Sequence, residues 1–105
     1  MELVETSKCL AELGHEKRLA IYRYLVRMGK NGVTVGSIQE ELNIPASTLS
    51  HHISRLTQVG LVEQKREGTA LFCSPQYNKL QNIISFLVEE CCEGSSCIEQ
   101  TKCCT

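Results

Sequence analysis

The sequence predicts a mainly α-helical domain with one small β-hairpin, a winged helix-turn-helix that pairs with a second copy through its terminal helices. Three observations predict it. A short helical segment over residues 35–42 and a second starting at Pro45 are separated by only Asn43-Ile44, as in a helix-turn-helix. Two short runs of strand character, Leu61–Lys65 and Ala70–Ser74, flank the loop Arg66-Glu67-Gly68-Thr69, which makes a hairpin. After Pro75 comes the clearest amphipathic helix in the chain.

Taken in order, residues 2–13 read as a short helix with Leu3, Leu10 and Leu13 on one side. Between Gly14 and the turn Gly29-Lys30-Asn31-Gly32, Leu19, Tyr22, Leu25, Val26 and Met28 recur at helical spacing beside Arg18, Arg23 and Arg27. Thr34 suits the N-cap of the 35–42 helix and Asn43 its left-handed close. Pro45 suits the first turn of the next helix, which Gly60 ends. There Leu49, Ile53 and Leu56 recur at helical intervals and face the core, while Ser47, Ser50, His51, Ser54, Arg55 and Gln58 lie opposite. Past the hairpin, Tyr77, Leu80, Ile84, Leu87 and Cys91 form a stripe that Ile83 and Val88 widen. So broad an apolar face outside the helix-turn-helix core predicts a dimerisation helix, ending at Gly94-Ser95-Ser96.

Length and composition narrow the function classes. A chain of 105 residues is one domain, and one this small gains from a partner's core. Eleven Lys and Arg against twelve acids, all of them Glu, give a net charge of −1. That excludes a strongly basic, nonspecific nucleic-acid platform but leaves room for a local DNA face. The N-terminus has no apolar core of a signal peptide, and no apolar run approaches the roughly 18–20 residues of a membrane span. A cytoplasmic protein is expected, with its cysteines in a reducing compartment. Residues 1–92 read as the DNA-binding and dimerisation domain and 93–105 as a cysteine-rich tail that completes a ligand site.

The outer face of the 45–58 helix has the chemistry of a reading helix. Small polar side chains let a helix approach base edges, and Ser47, Thr48, Ser50 and His51 donate or accept there. Arg55, Lys65 and Arg66 are placed for phosphates, which fix position without reading sequence. For these residues the plain alternatives are a solvated helix face and ordinary hairpin charges. His52, three residues after Leu49, leans inward and reads as a packed, hydrogen-bonded histidine. One such face binds weakly, so two copies reading half-sites about one helical turn apart, or a multiple of that, are expected.

Three stretches carry a resemblance to a known family: Leu13-Gly14-His15-Glu16-Lys17-Arg18-Leu19, then Ser47-Thr48-Leu49-Ser50-His51-His52-Ile53-Ser54-Arg55-Leu56, then Gly60-Leu61-Val62 with Lys65-Arg66-Glu67-Gly68. Over residues 8–92 the sequence resembles the ArsR/SmtB family of prokaryotic metal-responsive repressors. The resemblance implies a homodimer on double-stranded operator DNA that lets go when a ligand binds. Two ligand sets of the family are missing. The 35–42 helix has no cysteine, and a chain without Asp lacks the Asp and His ligands of the zinc sensors' last helix.

Seven cysteines stand at 9, 73, 91, 92, 97, 103 and 104, five of them in the last 15 residues. Cys73, in a strand among small and apolar residues, and Cys9, in the first helix, read as packing. Cys91-Cys92-Glu93-Gly94-Ser95-Ser96-Cys97 offers three soft donors in one short loop, and thiolates select soft ions. Adjacent cysteines suit tetrahedral zinc poorly, whereas trivalent arsenic or antimony is satisfied by three sulfurs in a pyramid. Cys91, Cys92 and Cys97 resemble the C-terminal arsenite site of one subgroup of arsenical repressors, which implies As(III) or Sb(III) as inducer. Cys103 and Cys104 could add ligands. The near rival keeps the repressor but answers to Cd(II), Pb(II), Zn(II) or thiol oxidation. The remote rival is a small thiol reductase. Glu89, Glu90 and Glu93, at a helix C-terminus, oppose the low thiol pKa that a nucleophile needs.

Overall fold

The computed structural model describes residues 2–94. Helices α1 (Leu3–Leu13) and α2 (Glu16–Met28) come first. A two-residue strand β1 (Val33–Thr34) leads into α3 (Val35–Leu42), and α4 (Ala46–Gln58) completes the helix-turn-helix. Strands β2 (Val62–Glu67) and β3 (Ala70–Pro75) form the wing. Helix α5 (Tyr77–Val88) follows, then one 3₁₀ turn, Cys91–Gly94. The fold is the winged helix-turn-helix, and its antiparallel sheet has the order β1-β3-β2.

Local chemistry sets the central turn. The Thr34 hydroxyl accepts from the Ser37 backbone N–H at 3.2 Å, which satisfies a donor left over at the start of α3. Asn43 closes α3 in the left-handed region, with φ 52° and ψ 50°, a conformation Asn tolerates better than most side chains. Ile44 is buried in the turn, and Pro45 stands at the N-cap of α4. Helix α4 then buries Leu49, Ile53 and Leu56 with Ile21 and Leu25 of α2 and Ile38 of α3. Cys73 is fully buried in β3, and Cys9 is fully buried in α1. The Tyr77 hydroxyl donates to the Val26 carbonyl at 2.8 Å and ties α5 to α2.

Several details differ from the sequence reading. Helix α1 turns Thr6 and Cys9 inward, and Leu3 and Leu10 are exposed. Burial of Thr6 is cheap because its hydroxyl donates to the Glu2 carbonyl at 2.9 Å, while the Cys9 thiol donates to the Val59 carbonyl. In α2 the core takes Ile21 with Tyr22 and Leu25, leaving Leu19 and Met28 half exposed. Arg66 and Glu67 belong to β2, paired with Leu71 and Ala70, so the wing turn is Gly68-Thr69 alone. A two-residue turn needs positive φ, and Gly68 supplies it at 64° with open space around its α-carbon. Helix α5 ends at Val88 and not at Gly94. Glu89 and Glu90 come next, and negative charge is unfavourable at a helix C-terminus. Its most buried residue is Ile83, and Leu87 is exposed.

Candidate nucleic-acid interface

The short turn at Asn43 sets α4 across α3 and leaves one face of α4 outward. Ser47, Ser50, His51, Ser54 and Gln58 are exposed there and Thr48 is half-buried, while Leu49, Ile53 and Leu56 anchor the other face. The structure thus brings Ser47, Ser50 and His51 together on one accessible strip. None carries a bulky apolar group that would hold the helix away from base edges.

The wing stands beside this strip. Gln64 and Leu71 line a groove with Ser50, Ser54 and Gln58. Cross-strand partners share a face, so Arg66, opposite Leu71, lies on the side of the wing that faces α4. Lys65, opposite Phe72, projects to the other side, because strand neighbours alternate. The Lys65 ammonium is well exposed, 3.9 Å from Glu67.

Arg55 is on α4 but is not an isolated cation. Its Nε donates to Glu12 Oε1 at 2.8 Å and its Nη2 to Oε2 at 3.2 Å. Glu12 lies in the last turn of α1, and the Arg55 hydrogen bond holds its carboxyl below the usual range. Arg18 stands beside them, with Nε 3.5 Å from Glu12 Oε1. His52 is buried, as its inward position suggested, and Arg18 Nη1 lies 3.3 Å from its Nδ1. Burial pushes His52 below the ordinary histidine value, and His15, Arg18, His51 and Lys17 push the same way. The His15 and His52 rings are 4.8 Å apart. His15 also caps α2, its Nδ1 accepting from the Lys17 N–H. Nothing in the sequence pattern paired Glu12 with Arg55, since 43 residues separate them.

At the other end of the chain, Cys91 and Cys92 sit in the 3₁₀ turn with their sulfurs 3.8 Å apart. Cys92 is exposed and takes a positive φ of 52°. Cys97, Cys103 and Cys104 lie outside the described residues, as does nearly all of the 93–105 tail. Among the described residues no three Cys, His or carboxylate groups come close enough to hold a metal ion. None of the helices described is long and apolar enough to cross a membrane.

Comparison with known proteins follows the same outline. Residues 13–65 match the family described as helix-turn-helix domain. An uncharacterized HTH-type transcriptional regulator of Methanocaldococcus jannaschii is 35% identical over 77 residues, 73% of this chain and 83% of the relative. The transcriptional repressor BigR from Xylella fastidiosa shares the fold with a TM-score of 0.66 and 27% identity, over 84% of this chain and 87% of that one. A homodimeric winged helix-turn-helix DNA-binding domain from Mycobacterium bovis, a possible ArsR-family regulator, gives 0.66 at 23% identity, over 92% and 90% of the two chains.

Proposed function

From the premise that this chain belongs to the helix-turn-helix domain family and is a transcriptional regulator of the ArsR type, we propose that it is a homodimeric repressor which leaves its operator when its C-terminal cysteines bind As(III) or Sb(III). The observation that carries the DNA half is the exposed strip Ser47, Ser50 and His51 on a helix whose opposite face is locked into the core. These residues, with Thr48, read base edges, and Lys65 and Arg66 contact phosphates from the wing. The homodimeric relative from Mycobacterium bovis supports pairing, and the repressor from Xylella fastidiosa supports repression. The protein acts in the cytoplasm, where its DNA is.

The ligand half is supported by two sulfurs 3.8 Å apart at the end of α5. In the reduced protein Cys91 and Cys92 supply two of three thiolates and Cys97 the third. A ligand there acts on the helix next to the dimer contact. It shifts the dimer between DNA-competent and incompetent geometries by binding one of them better. The closeness of the Cys91 and Cys92 sulfurs also favours a second reading, release by thiol oxidation.

A gel-shift titration on DNA upstream of the protein's own gene tests both. Arsenite or antimonite is expected to release the reduced protein at one equivalent per site, and Cys92→Ser to bind DNA normally but ignore arsenite. Release of Cys92→Ser by arsenite would place the site elsewhere. Release by peroxide, with arsenite inert, would favour the oxidation reading.

A further inference from the structure

Helix α4 is held in two ways. Its apolar side rests in the core, but burial is non-directional. It fixes how deep the helix sits and which face turns inward, and leaves the fine adjustment of roll to directional contacts. The second hold is directional. Glu12, at the end of α1, takes both Nε and Nη2 of Arg55. Arg18, in the first turn of α2, donates from Nε to the Glu12 backbone carbonyl at 2.7 Å and reaches His52 with Nη1. Residues 52 and 55 are neighbours on the helix surface, so two elements grip α4 at adjoining points, beside the outward strip. Bidentate and charge-assisted contacts of this kind add geometry as well as energy.

We infer, on the reading of α4 as the DNA-contacting helix, that Glu12 and Arg18 are positioning residues for it: through Arg55 and His52 they set the roll at which Ser47, Ser50 and His51 meet the bases. Neither has to touch DNA. Hydrogen bonds to base edges weaken steeply with misalignment, so a small roll costs affinity without removing a contact group.

The clamp has a proton dependence of defined sign. Arginine has no acceptor, so Arg18 donates and His52 Nδ1 accepts. A solvent proton on Nδ1 removes that acceptor and sets a cation against Arg18. The charged and titratable groups around it are Arg18, His15 and Lys17 from α2 and its cap, His51 from α4 itself, and Glu12 beyond Arg18. Most are cationic when charged, so protonation opens the clamp. Because His52 is held below its ordinary value, the unfolded chain takes up the proton first. Stability therefore falls as pH drops through the unfolded value, about 6.5.

The test is fluorescence anisotropy of the reduced full-length protein on its upstream DNA, at several salt concentrations and from pH 7.5 to 5.5, with circular dichroism confirming the fold. Glu12→Gln and Arg55→Ala are each expected to weaken binding about tenfold. The double variant should lose no more than either single one, because both break the same contact. The dependence on salt should stay parallel to wild type, and wild-type affinity should fall toward pH 5.5. His52→Gln, which takes no proton, should flatten that fall. A salt slope reduced by about one in Arg55→Ala would make Arg55 a phosphate contact and overturn the assignment. Unchanged affinity in Glu12→Gln would also overturn it. Should those variants unfold, Arg55→Lys decides, since it keeps the charge and loses the bidentate contact: unchanged affinity refutes the clamp. Absence of operator binding at every pH would refute the DNA reading of α4 itself, and the clamp with it.

Discussion

Single side chains in this protein behave as their surroundings dictate. Cys73 and Cys9 are both fully buried, and burial pushes both thiols up, which makes them inert filling. Tyr22 is the opposite case. Its ring packs in the core, but its hydroxyl is buried without a hydrogen-bond partner, and burial pushes its pKa up to about 12. An unsatisfied buried hydroxyl costs about 1–3 kcal/mol. Tyr22→Phe is therefore expected to raise stability by about 1 kcal/mol, read as a higher midpoint in urea. A lower midpoint would show that the hydroxyl is satisfied in solution. Little of this was legible in the chain. Spacing places Tyr22 on the inner face of α2 but does not show what its hydroxyl meets.

Elements were easier to read where local chemistry decides them. The turn between α3 and α4 follows from Thr34 and Asn43, and both do what their residue types suggest. Thr34→Ala is expected to cost about 1 kcal/mol by urea denaturation. Asn43→Val, which resists the left-handed region, should cost more than Asn43→Gly. Equal costs would mean that the turn relaxes out of that conformation. The apolar triad of α4 was legible for the same reason, since helical periodicity alone selects Leu49, Ile53 and Leu56. Where tertiary pairing decides, the chain was opaque. Strand β1 is two residues long and exists because Val33 and Thr34 pair with Cys73 and Phe72. Nor does the pattern of α1 reveal that Thr6 outranks Leu3 and Leu10 for the interior. The outward placement of Ser47, Ser50 and His51 was therefore legible, and the contacts of α4 with Glu12 and Arg18 were not.

At the scale of the molecule, apolar side chains are left outside on α1, α2 and α5. Leu3 is 72% and Leu87 59% exposed, with Val4 and Leu10 beside Leu3 on α1. In the proposed dimer a second copy covers the exposed residues of α1 and α5. Sedimentation should find the protein as a dimer, and Leu87→Glu should shift it toward monomer, since a buried unpaired charge is costly. Operator affinity should fall with it, because a single reading helix forfeits the second half-site. A Leu87→Glu protein that remains dimeric would move the interface off α5.

The wing tip offers a different kind of freedom. The hairpin closes on Gly68 and Thr69, and open space surrounds the glycine α-carbon. Residues added there would displace nothing in the interior. Mutation can therefore lengthen this finger, or recharge it, while the seat of α4 and the cysteine pair stay as they are. Which promoters such a protein visits could drift over generations while the signal it answers to stays the same.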